Sequence, residues 1–399
     1  MSSPSRRVLS GMRPTGGLHL GHWRGVLHNW RALQEAGNEC FFFIADWHAL
    51  TTDYANPGDL FVNTREMVLS WLSAGLDPQK TTMFRQSDVP AHAELFVLLS
   101  MICPLPWLMH LPTYKEQKEA LQRDLDTHGF LGYPLLQSAD IMIYGADCVP
   151  VGEDQVPHVE FTRDIARRFN RFYGNTEDFQ SKLMVTKKSL SVDVQTAIET
   201  YQKDYQQNGN KQALDDAVSL IDELVVEENT KQLLRDDVRY GGQEVLRVPQ
   251  AMLTQAPRLP GTDGRKMSKS YGNTIDLTDV PEAVEKKIAR MQTDPARVRR
   301  SDKGEPTRCP VWSLHRVFSD MDTQNGVAES CRSAAIGCVD CKKRLSAAVN
   351  DDLEPLRERR AAVDKTGIVE DILADGALRA AKSAEQTMQE VRRFMHLVS

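Results

Sequence analysis

Apolar runs alternate with amphipathic segments over the first 170 residues of this chain, a pattern typical of repeated βα units. The run Cys40 to Ala45 predicts a fully buried strand, and Thr82 to Phe84 predicts a shorter one. Helical spacing of apolar residues predicts helices over Leu60 to Ala74 and Ala93 to Ile102. This alternation predicts a doubly wound α/β domain with a parallel sheet, in which ligands bind beyond the carboxyl ends of the strands.

The α/β pattern continues to about residue 184 and then changes. It includes a predicted helix over Tyr133 to Tyr144, a strand or tight crossover at Val149 to Gly152, and a helix from about Gln155 to Phe169. Residues 185–247 are charged and mostly free of proline, and the turn signal Gln207 to Asn210 divides them. This segment predicts a helical hairpin inserted between elements of the sheet.

The last part of the chain divides into two further segments. Residues 248–276 return to the α/β domain and carry a lysine-rich loop. Residues 277–399 read as an all-helical domain, with helices such as Pro281 to Met291 and Lys342 to Arg360. The predicted organisation is therefore an α/β domain over 1–184 and 248–276, an insertion over 185–247 and a helical domain over 277–399.

Composition and charge limit the classes of protein to consider. With 41% hydrophobic and 26% charged residues, the chain has enough apolar content for a buried interior, and no apolar run approaches a membrane span. The N-terminus shows no signal-peptide core, so a cytoplasmic location without a membrane partner is expected. The net charge of −6 argues weakly against a nucleic-acid partner. A local basic stretch can still bind phosphates, and one is formed by Arg297, Arg299, Arg300, Lys303 and Arg308, although a solvated loop explains it equally.

Two short motifs carry candidate chemistry. The segment Pro14 to His22 reads PTGGLHLGH and follows a short apolar run, and Lys266 to Ser270 reads KMSKS. Side chains at a helix start can steady phosphates, and lysines can neutralise a departing pyrophosphate. Taken singly, the first is also a capped turn and the second a solvated loop. In this order they indicate a site that holds ATP while an acid attacks its α-phosphate.

A third block lies between the two motifs. Tyr133, Gln137 and Asp140 fall at helical spacing, so they share one face. Such a polar face is unusual for a core, and the alternative is a partly exposed helix with that face in water. The segment Val149 to Gln155, which reads VPVGEDQ, follows soon after.

Together these motifs resemble the HIGH and KMSKS signatures of the class I aminoacyl-tRNA synthetases. The helix with the pattern YPxLQxAD and the VPVGEDQ crossover are similar to those of the tryptophan-specific branch, and the resemblance covers most of residues 6–175 and 249–276. It implies a Rossmann-like catalytic domain and ATP-dependent activation of L-tryptophan to tryptophanyl-adenylate, followed by transfer to tRNA(Trp). It also implies Mg²⁺ with the ATP substrate, an anticodon-binding role for the helical domain, and a homodimer.

The resemblance implies a tryptophan pocket in the third block. Asp140 would accept a hydrogen bond from the indole N–H, while Tyr133 and Gln155 would hold the α-amino group. The other residues expected at the border or in the apolar walls of this pocket are His48, Gln137, Val149 and Val151.

The resemblance also assigns the residues around ATP. His19 and His22 would donate hydrogen bonds to phosphate oxygens, and Lys266 and Lys269 would meet the charge that grows on pyrophosphate. Gly21 would let the nucleotide base approach the backbone closely. The remaining expected contacts to ATP are Arg13, Pro14, Thr15, Gly152, Met267 and Ser268, of which Arg13 is equally well explained as a surface arginine.

Four cysteines cluster in the helical domain. Cys309, Cys331, Cys338 and Cys341 are separated by 21, 6 and 2 residues, and such a group in a cytoplasmic protein indicates metal more often than disulfides. Zinc, an iron–sulfur cluster and a coincidence of helical packing are the alternatives. Some tryptophan-specific synthetases carry a [4Fe–4S] cluster near the anticodon-binding region on a similar pattern, with a first gap one residue longer. This resemblance favours the cluster, and the neighbouring Lys342 to Arg344 are expected to contact the anticodon.

Other functions remain to be compared with this one. A tyrosine-specific synthetase is the nearest, and the VPVGEDQ block favours the tryptophan branch. A small adenylyltransferase of the HxGH type would leave the lysine loop and the second domain unexplained. A non-charging paralogue that senses tryptophan or binds RNA has no need for Lys266 and Lys269.

Overall fold

Five strands form one sheet in the computed structural model, which describes residues 5–111, 127–208, 210–254, 258–364 and 367–398. The strands are β1 (Arg7–Met12), β2 (Glu39–Ile44), β3 (Thr81–Arg85), β4 (Cys148–Val151) and β5 (Gln250–Leu253), in the order β3-β2-β1-β4-β5. β2 pairs with β3 in parallel from Cys40–Thr81 to Ile44–Arg85, and β1 pairs with β4 in parallel at Val8–Cys148. This order confirms the predicted doubly wound α/β class, with the reversal of strand order at β1.

Helices alternate with the strands along the chain. A π-helical turn, Trp23–Leu27, joins the first two helices without a break. The α-helices of the described ranges, in chain order, are α1 (Leu20–His22), α2 (His28–Glu35), α3 (Asp46–Asp53), α4 (Leu60–Ser73), α5 (Ala91–Ser100), α6 (Leu105–Met109), α7 (His128–Ile143), α8 (Val156–Tyr173), α9 (Glu177–Ser189), α10 (Val192–Asn208), α11 (Lys211–Glu223), α12 (Glu228–Tyr240), α13 (Pro281–Ala289), α14 (Pro310–Phe318), α15 (Met321–Arg332), α16 (Cys338–Val363) and α17 (Val369–Phe394).

Local sequence explains where several of these elements begin and end. The Asp59 carboxylate accepts a hydrogen bond from the Val62 N–H at the start of α4 (2.9 Å), and Thr127 caps α7 in the same way through the Phe130 N–H (3.2 Å). Helix α12 ends at Gly241, whose φ of 71° is the left-handed conformation that favours glycine. Such caps satisfy backbone groups that have no partner inside the helix.

The chain forms two compact units. The first contains residues 1–5, 10–85 and 253–377, and the second contains residues 6–9, 86–252 and 378–399. In the first unit, β2 is buried along Cys40–Ile44, and the Trp30 ring stacks on Phe42 with centroids 4.2 Å apart. Residues 277–377 share a unit with residues 10–85, so the helical segment predicted over 277–399 is not a compact unit of its own.

The predicted insertion is more elaborate than a hairpin. Four helices, α9 to α12, occupy residues 177–240 within the second unit, so the prediction of a single two-helix hairpin over 185–247 was wrong in helix number. Of the predicted turn, Gly209 lies outside the described residues. These helices bury an apolar cluster of their own, formed by Phe179, Leu183, Ile198, Ala217, Ile221, Leu234 and Val238. Single-sequence periodicity missed the extra breaks because α9, α10 and α11 follow one another with few glycines and no proline.

None of the helices in the described ranges is long and apolar enough to cross a membrane.

Candidate active site

The two predicted ATP motifs meet within the first unit. The Leu20 N–H donates to the Ile275 carbonyl (3.0 Å), and the Leu277 N–H donates to the Leu18 carbonyl (2.8 Å). These bonds flank an antiparallel bridge between His19 and Asp276. Because residues 275–277 directly follow the KMSKS loop in the chain, this pairing brings the loop beside the first motif.

Backbone hydrogen bonds fix the two histidines of the first motif. His19 caps the short helix α1, and its Nδ1 accepts from the Gly21 N–H (3.1 Å), while the Nδ1 of His22 accepts from the His19 N–H (3.2 Å). A ring nitrogen that accepts carries no proton in a neutral imidazole, so both rings hold their proton on Nε2. With ring centroids 3.9 Å apart, the pair offers two oriented N–H donors for a ligand.

Both histidines are neutral near pH 7. Burial, together with the nearby Lys269 ammonium, lowers the pKa of His19 to about 4, and the Asp276 carboxylate acts weakly in the opposite direction. Burial, then His19 and then Lys269, lowers the pKa of His22 to about 3. The rings can therefore donate hydrogen bonds to phosphate oxygens, but the positive charge at this site must come from elsewhere.

Lys269 supplies that charge. Its Nζ donates to the Thr15 carbonyl (3.3 Å), and its Nζ would be 3.7 Å from a Cβ placed on Gly16, whose φ is 106°. Burial lowers the pKa of Lys269 and Asp276 raises it, with burial the larger effect. This ammonium thus rests on the loop between β1 and α1, beside the histidine pair.

Lys266 is placed differently from Lys269. Its side chain is exposed, and its backbone carbonyl accepts from the Asn273 amide (3.1 Å). Among the described residues, no recorded contact joins the Lys266 side chain to the histidines. The sequence predicted equivalent roles for the two lysines. The structure places Lys269 beside the histidines, and the role of Lys266 remains a prediction.

Gly21 has a structural requirement that the sequence did not reveal. A Cβ at this position would lie 2.9 Å from Cε1 and 3.0 Å from Nδ1 of the His19 ring. A side chain here would push that ring away from its cap. The prediction that Gly21 admits the nucleotide base remains a prediction, and the collision gives a second reason for glycine.

The remaining residues expected near ATP have the following positions. Arg13 forms an ion pair with Asp53 (3.6 Å) and donates to the Thr52 hydroxyl, so both of its predicted roles remain open. The Ser268 N–H donates to Asn273 Oδ1 (2.8 Å), which holds the shape of the lysine loop. Three further residues belong to the same unit, with Pro14 and Met267 buried and Thr15 exposed.

Asp140 is the centre of the predicted amino-acid pocket in the second unit. It lies on α7 and is 1% exposed, and its Oδ1 accepts from Gln86 Nε2 (2.8 Å) and bonds His92 Nδ1 (2.6 Å). On its other side His92 bonds the Tyr144 hydroxyl (2.7 Å), and burial raises the pKa of Tyr144 well above its usual value, so this hydroxyl keeps its proton. These bonds fix the orientation of the Asp140 carboxyl group.

Sequence reasoning missed Gln86 and His92. Gln86 had a usable signal, because it immediately follows β3, and residues beyond the carboxyl ends of parallel strands are where ligands bind. His92 had none, since a single histidine near a helix start is common. Gln86 is fully buried, and its Oε1 has no hydrogen-bond partner among the described residues. A buried acceptor without a partner is costly and indicates a place where a ligand can donate.

A second polar group borders the same helix. His158 Nδ1 bonds Gln137 Oε1 (2.8 Å), and the Tyr133 hydroxyl lies 3.4 Å from His158 Nε2. The shared helical face predicted for Tyr133, Gln137 and Asp140 thus carries polar contacts along its length. His158 links two of the three, a connection that the sequence did not indicate.

The other predicted pocket residues belong to several elements. Val149 and Val151 are buried on one face of β4. Gln155 is exposed at the end of the 3-10 turn Glu153–Gln155, and Gly152 precedes that turn. His48 is buried in α3, which belongs to the first unit. Their predicted contacts with tryptophan or ATP remain predictions.

The four clustered cysteines line one cavity of the first unit, together with Arg297. Burial, with repulsion from the other three thiols, raises the pKa of Cys341 to about 12. Within the described ranges, however, no three histidine, cysteine, aspartate or glutamate side chains are arranged to hold a metal ion. The predicted metal site is therefore not supported by the structure, although its four ligands do lie around a common space.

The basic stretch is only partly available for a partner. Arg297 is buried, and it donates to the Ile336 carbonyl (2.6 Å) and lies 3.7 Å from Cys331 Sγ. Lys342 Nζ donates to the Ala289 and Met291 carbonyls at the end of α13 (2.9 and 2.6 Å). These two cations brace the cysteine region. The exposed members of the predicted basic surface are Arg299, Arg300, Lys303, Arg308, Lys343 and Arg344.

Comparisons with known proteins give one consistent picture. The family described as tRNA synthetases class I (W and Y) matches residues 2–191 and 227–354. A tryptophan–tRNA ligase from Ralstonia nicotianae is 50% identical over 98% of both chains, and one from Thermotoga maritima is 44% identical over 98% of this chain and 99% of that one. Among solved structures, the tryptophanyl-tRNA synthetase of Campylobacter jejuni complexed with ADP and tryptophan matches with a TM-score of 0.73 and 27% identity, over 98% of this chain and 99% of that one.

Proposed function

The chain belongs to the class I tRNA synthetases of the tryptophan and tyrosine group, and from this premise we infer that it is a tryptophan–tRNA ligase. It activates L-tryptophan with ATP to tryptophanyl-adenylate and pyrophosphate, and then transfers the tryptophanyl group to tRNA(Trp). Relatives that carry this name align over nearly the whole chain at 50% and 44% identity, which favours tryptophan over tyrosine.

The convergence of His19, His22 and Lys269 in one compact unit carries this proposal. The substrate carboxylate is already a nucleophile at neutral pH, so the protein needs no nucleophile of its own. Catalysis then rests on positioning and on stabilising the charge that develops on the phosphates. Two neutral N–H donors and one ammonium group are the chemistry that this task requires.

The donors and the cation have separable roles. His19 and His22 are fixed by backbone bonds, so their Nε2–H groups can hold phosphate oxygens without reorganising. Lys269 rests on the Thr15 carbonyl, a neutral acceptor that it can exchange for a charged phosphate oxygen. Its charge should therefore contribute most when negative charge grows on the departing pyrophosphate. Mg²⁺ is expected to enter with ATP, as it usually does in nucleotide sites.

Amino-acid selection is assigned to the pocket around Asp140. An oriented, buried carboxyl group favours a ligand that brings an N–H donor, and the side chain of phenylalanine has none. Gln86 Oε1 offers a second acceptor beside it. Tyrosine can also donate, so the buried walls formed by Val149 and Val151 must contribute to its exclusion.

Amino-acid-dependent exchange of pyrophosphate into ATP tests the activity directly. We expect exchange with tryptophan alone among the twenty amino acids, and tryptophanylation of tRNA in the same preparation. Exchange with tyrosine would instead support the tyrosine-specific alternative. Tryptophan binding without exchange or charging would support a sensor and refute the enzyme.

A matched pair of variants tests the pocket. Asp140→Asn removes the charge of a buried carboxylate, whereas Asp164→Asn makes the same change at an exposed site on α8. We expect only the first to raise the KM for tryptophan. Equal effects of the two substitutions would contradict the role given to Asp140.

We also propose that the four clustered cysteines hold a [4Fe–4S] cluster. They line one cavity, but in the described structure they do not surround a single point as tetrahedral zinc at about 2.3 Å from each sulfur requires. A four-iron cluster binds one thiolate at each iron and so accommodates sulfurs that stand further apart. When bound, it would crosslink three segments of the first unit, because Cys338 and Cys341 both belong to α16.

Iron analysis after anaerobic purification tests the cluster. Cys338→Ser should lower the iron and acid-labile sulfide content, while Cys103→Ser, outside the cavity, should leave both unchanged. A colourless wild-type protein without iron would refute the proposal, and stoichiometric zinc would replace it.

A homodimer is the expected assembly, and an apolar surface in the second unit supports it. The Arg168 guanidinium lies over the Trp107 and Phe172 rings, at 5.7 and 4.6 Å from their centroids, so these rings are neighbours. Exposed apolar surface of this kind commonly marks an interface. The exposed large apolar side chains of this region are Met101, Leu105, Trp107, Met109 and Phe172.

Light scattering with size-exclusion chromatography tests the assembly. We expect a dimer for the wild type and a monomer for Leu105→Glu. Val225→Glu places the same charge on an exposed apolar residue of the insertion and should remain dimeric. A dimer that survives Leu105→Glu unchanged would exclude this surface as the interface. The use of tRNA as a substrate also favours the cytoplasm as the site of action.

A further inference from the structure

The helix that follows His22 contains a π-helical turn over Trp23–Leu27. A π-turn is wider than an α-turn and is rare, and it often occurs near functional sites. Reversion of such a turn to α geometry would rotate one flank of the helix relative to the other by roughly 100°, the rotation of one residue. Because the donors His19 and His22 precede this turn directly, its geometry sets their position relative to the rest of the helix.

One carboxylate binds both residues at the start of the π-turn. Asp352 Oδ2 accepts from Trp23 Nε1 (2.8 Å), and Asp352 Oδ1 accepts from an Arg24 guanidinium nitrogen. Trp23 is buried, and the Asp352 and Arg24 side chains are mostly shielded from water. A paired and partly buried charge of this kind is strongly held, since breaking it leaves one ion without its partner.

Arg24 has further contacts that depend on this pair. Its guanidinium lies 5.1 Å from the centroid of the Phe318 ring, and its Nε has no hydrogen-bond partner among the described residues. The Asp352 carboxylate is thus the anion that pairs with the Arg24 guanidinium and holds it in place. Loss of the carboxylate would leave a shielded guanidinium that has to move toward water.

Asp352 stands on a helix that is braced against the other ATP motif. It belongs to α16, which also contains Arg357, and Arg357 donates through Nε and Nη2 to the Asp279 carbonyl (3.2 and 3.1 Å). The Asp279 carboxylate in turn accepts from the Asp276 N–H (2.8 Å), and Asp276 forms the bridge with His19. One helix therefore contacts the segments that follow both motifs.

We propose that Asp352 is a positioning residue for adenylate formation. Through Trp23 and Arg24 it holds the π-turn, and the π-turn keeps the Nε2–H donors of His19 and His22 in register with Lys269. This inference rests on the proposed function, because adenylate formation is the reaction that it serves. Asp352 does not touch the reacting atoms, and its effect passes through the helix.

The test separates positioning from stability with four single variants and one double variant. Asp352→Asn keeps an oxygen acceptor for Trp23 but loses the charge that pairs with Arg24, and Asp352→Leu loses both. Arg24→Met removes the other partner of the ion pair. Asp351→Asn is the matched control, because it makes the same change at the preceding, exposed residue of α16.

Single-turnover formation of tryptophanyl-adenylate gives the rate per active site, with active sites counted by titration and melting followed in parallel. We expect Asp352→Leu to lower this rate about 10- to 100-fold, the range for loss of a charge-assisted hydrogen bond. Asp352→Asn and Arg24→Met should each give a smaller loss than Asp352→Leu, and the double variant that combines Asp352→Asn with Arg24→Met should be no slower than the slower of these two. The KM for tryptophan should stay within about twofold, since small displacements of catalytic groups reduce rate more than binding of a remote substrate.

Two results distinguish the failure of this proposal from the failure of the function. If the wild type forms adenylate and the Asp352 variants match Asp351→Asn per active site, the positioning role is refuted, even where melting temperatures fall. If the wild type forms no adenylate with any amino acid, the enzymatic function fails. Amide hydrogen exchange still tests whether the contacts of Asp352 with Trp23 and Arg24 stabilise the π-turn. Residues 18–30 should then exchange faster in Asp352→Leu than in Asp351→Asn, and equal exchange would remove the structural basis of the proposal.

Discussion

Two substitutions at His19 should separate its structural role from its chemical role. In the structure Nδ1 accepts the Gly21 N–H at 3.1 Å and caps helix α1, while Nε2 carries the proton available to a phosphate. An asparagine Oδ1 stands at the same number of bonds from the backbone as Nδ1, so His19→Asn can keep the cap and lose the donor. A glutamine amide reaches one bond further, so His19→Gln can keep a donor and lose the cap.

The expected magnitudes follow from these two bonds. Loss of a preorganised donor to a developing charge typically costs about 10²-fold in rate, so His19→Asn should lower kcat by roughly that factor. Loss of an N-cap costs about 1 kcal/mol, which is about 2–4 °C in the melting temperature of a unit of this size. His19→Gln should therefore melt earlier than the wild type while retaining more activity than His19→Asn.

Tryptophan-dependent pyrophosphate exchange and thermal unfolding on the same samples provide the assay. His28→Asn is the matched control, because His28 is exposed on the helix that continues from the same motif. Equal losses of kcat and equal shifts in melting for the two His19 variants would refute the division between Nδ1 and Nε2. A full loss of activity in His19→Gln with an unchanged melting temperature would contradict the assignment of the cap to Nδ1 and of the phosphate donor to Nε2.

Three further predictions concern the same sites. Asp140→Asn should raise the KM for tryptophan about 10- to 100-fold and leave the KM for ATP within about twofold, as equilibrium titration with each ligand can show. Lys269→Met should lower kcat about 100-fold with little change in the KM for ATP, and Lys266→Met should have a smaller effect in the same exchange assay because its side chain is exposed. The pKa values of about 4 for His19 and about 3 for His22 predict that kcat/KM for ATP shows no titration near the ordinary value of 6.5. In the unfolded chain these histidines bind protons below about pH 6.5, whereas in the folded chain they bind them only near pH 4 and pH 3. Unfolding titrations should therefore show the free energy of unfolding decreasing as the pH falls from 6.5 toward 3.

Local patterns in the sequence were enough to predict most elements of the fold. The run that became β2 is apolar at nearly every position because a central parallel strand is buried on both faces, and this is visible without any tertiary information. The same holds for the periodicity of α4 and for the two ATP motifs, whose residue types state their chemistry. The four helices of residues 177–240 were underestimated because breaks without glycine or proline leave little trace in periodicity.

The sequence also indicated several side chains without showing their partners. Asp140 was identified from a helical face and a resemblance, but its neighbours Gln86 and His92 lie 54 and 48 residues away along the chain. Arg297 looked like part of a basic surface, yet burial and two backbone carbonyls made it a brace of the cysteine region. Residue type alone cannot separate a binding cation from a structural one, since both uses depend on what lies opposite.

The sequence by itself determined the α/β architecture, the family and the residue types available for ATP chemistry, because these follow from local periodicity and from motifs of adjacent residues. Only the tertiary structure decided that Lys269 lies beside the histidines, that both imidazoles are neutral and protonated on Nε2, and that Asp352 bonds Trp23 and Arg24 in the turn that follows them. The reason is physical: protonation, orientation and contact are set by burial and by groups distant in the chain, and those come together only when the chain folds.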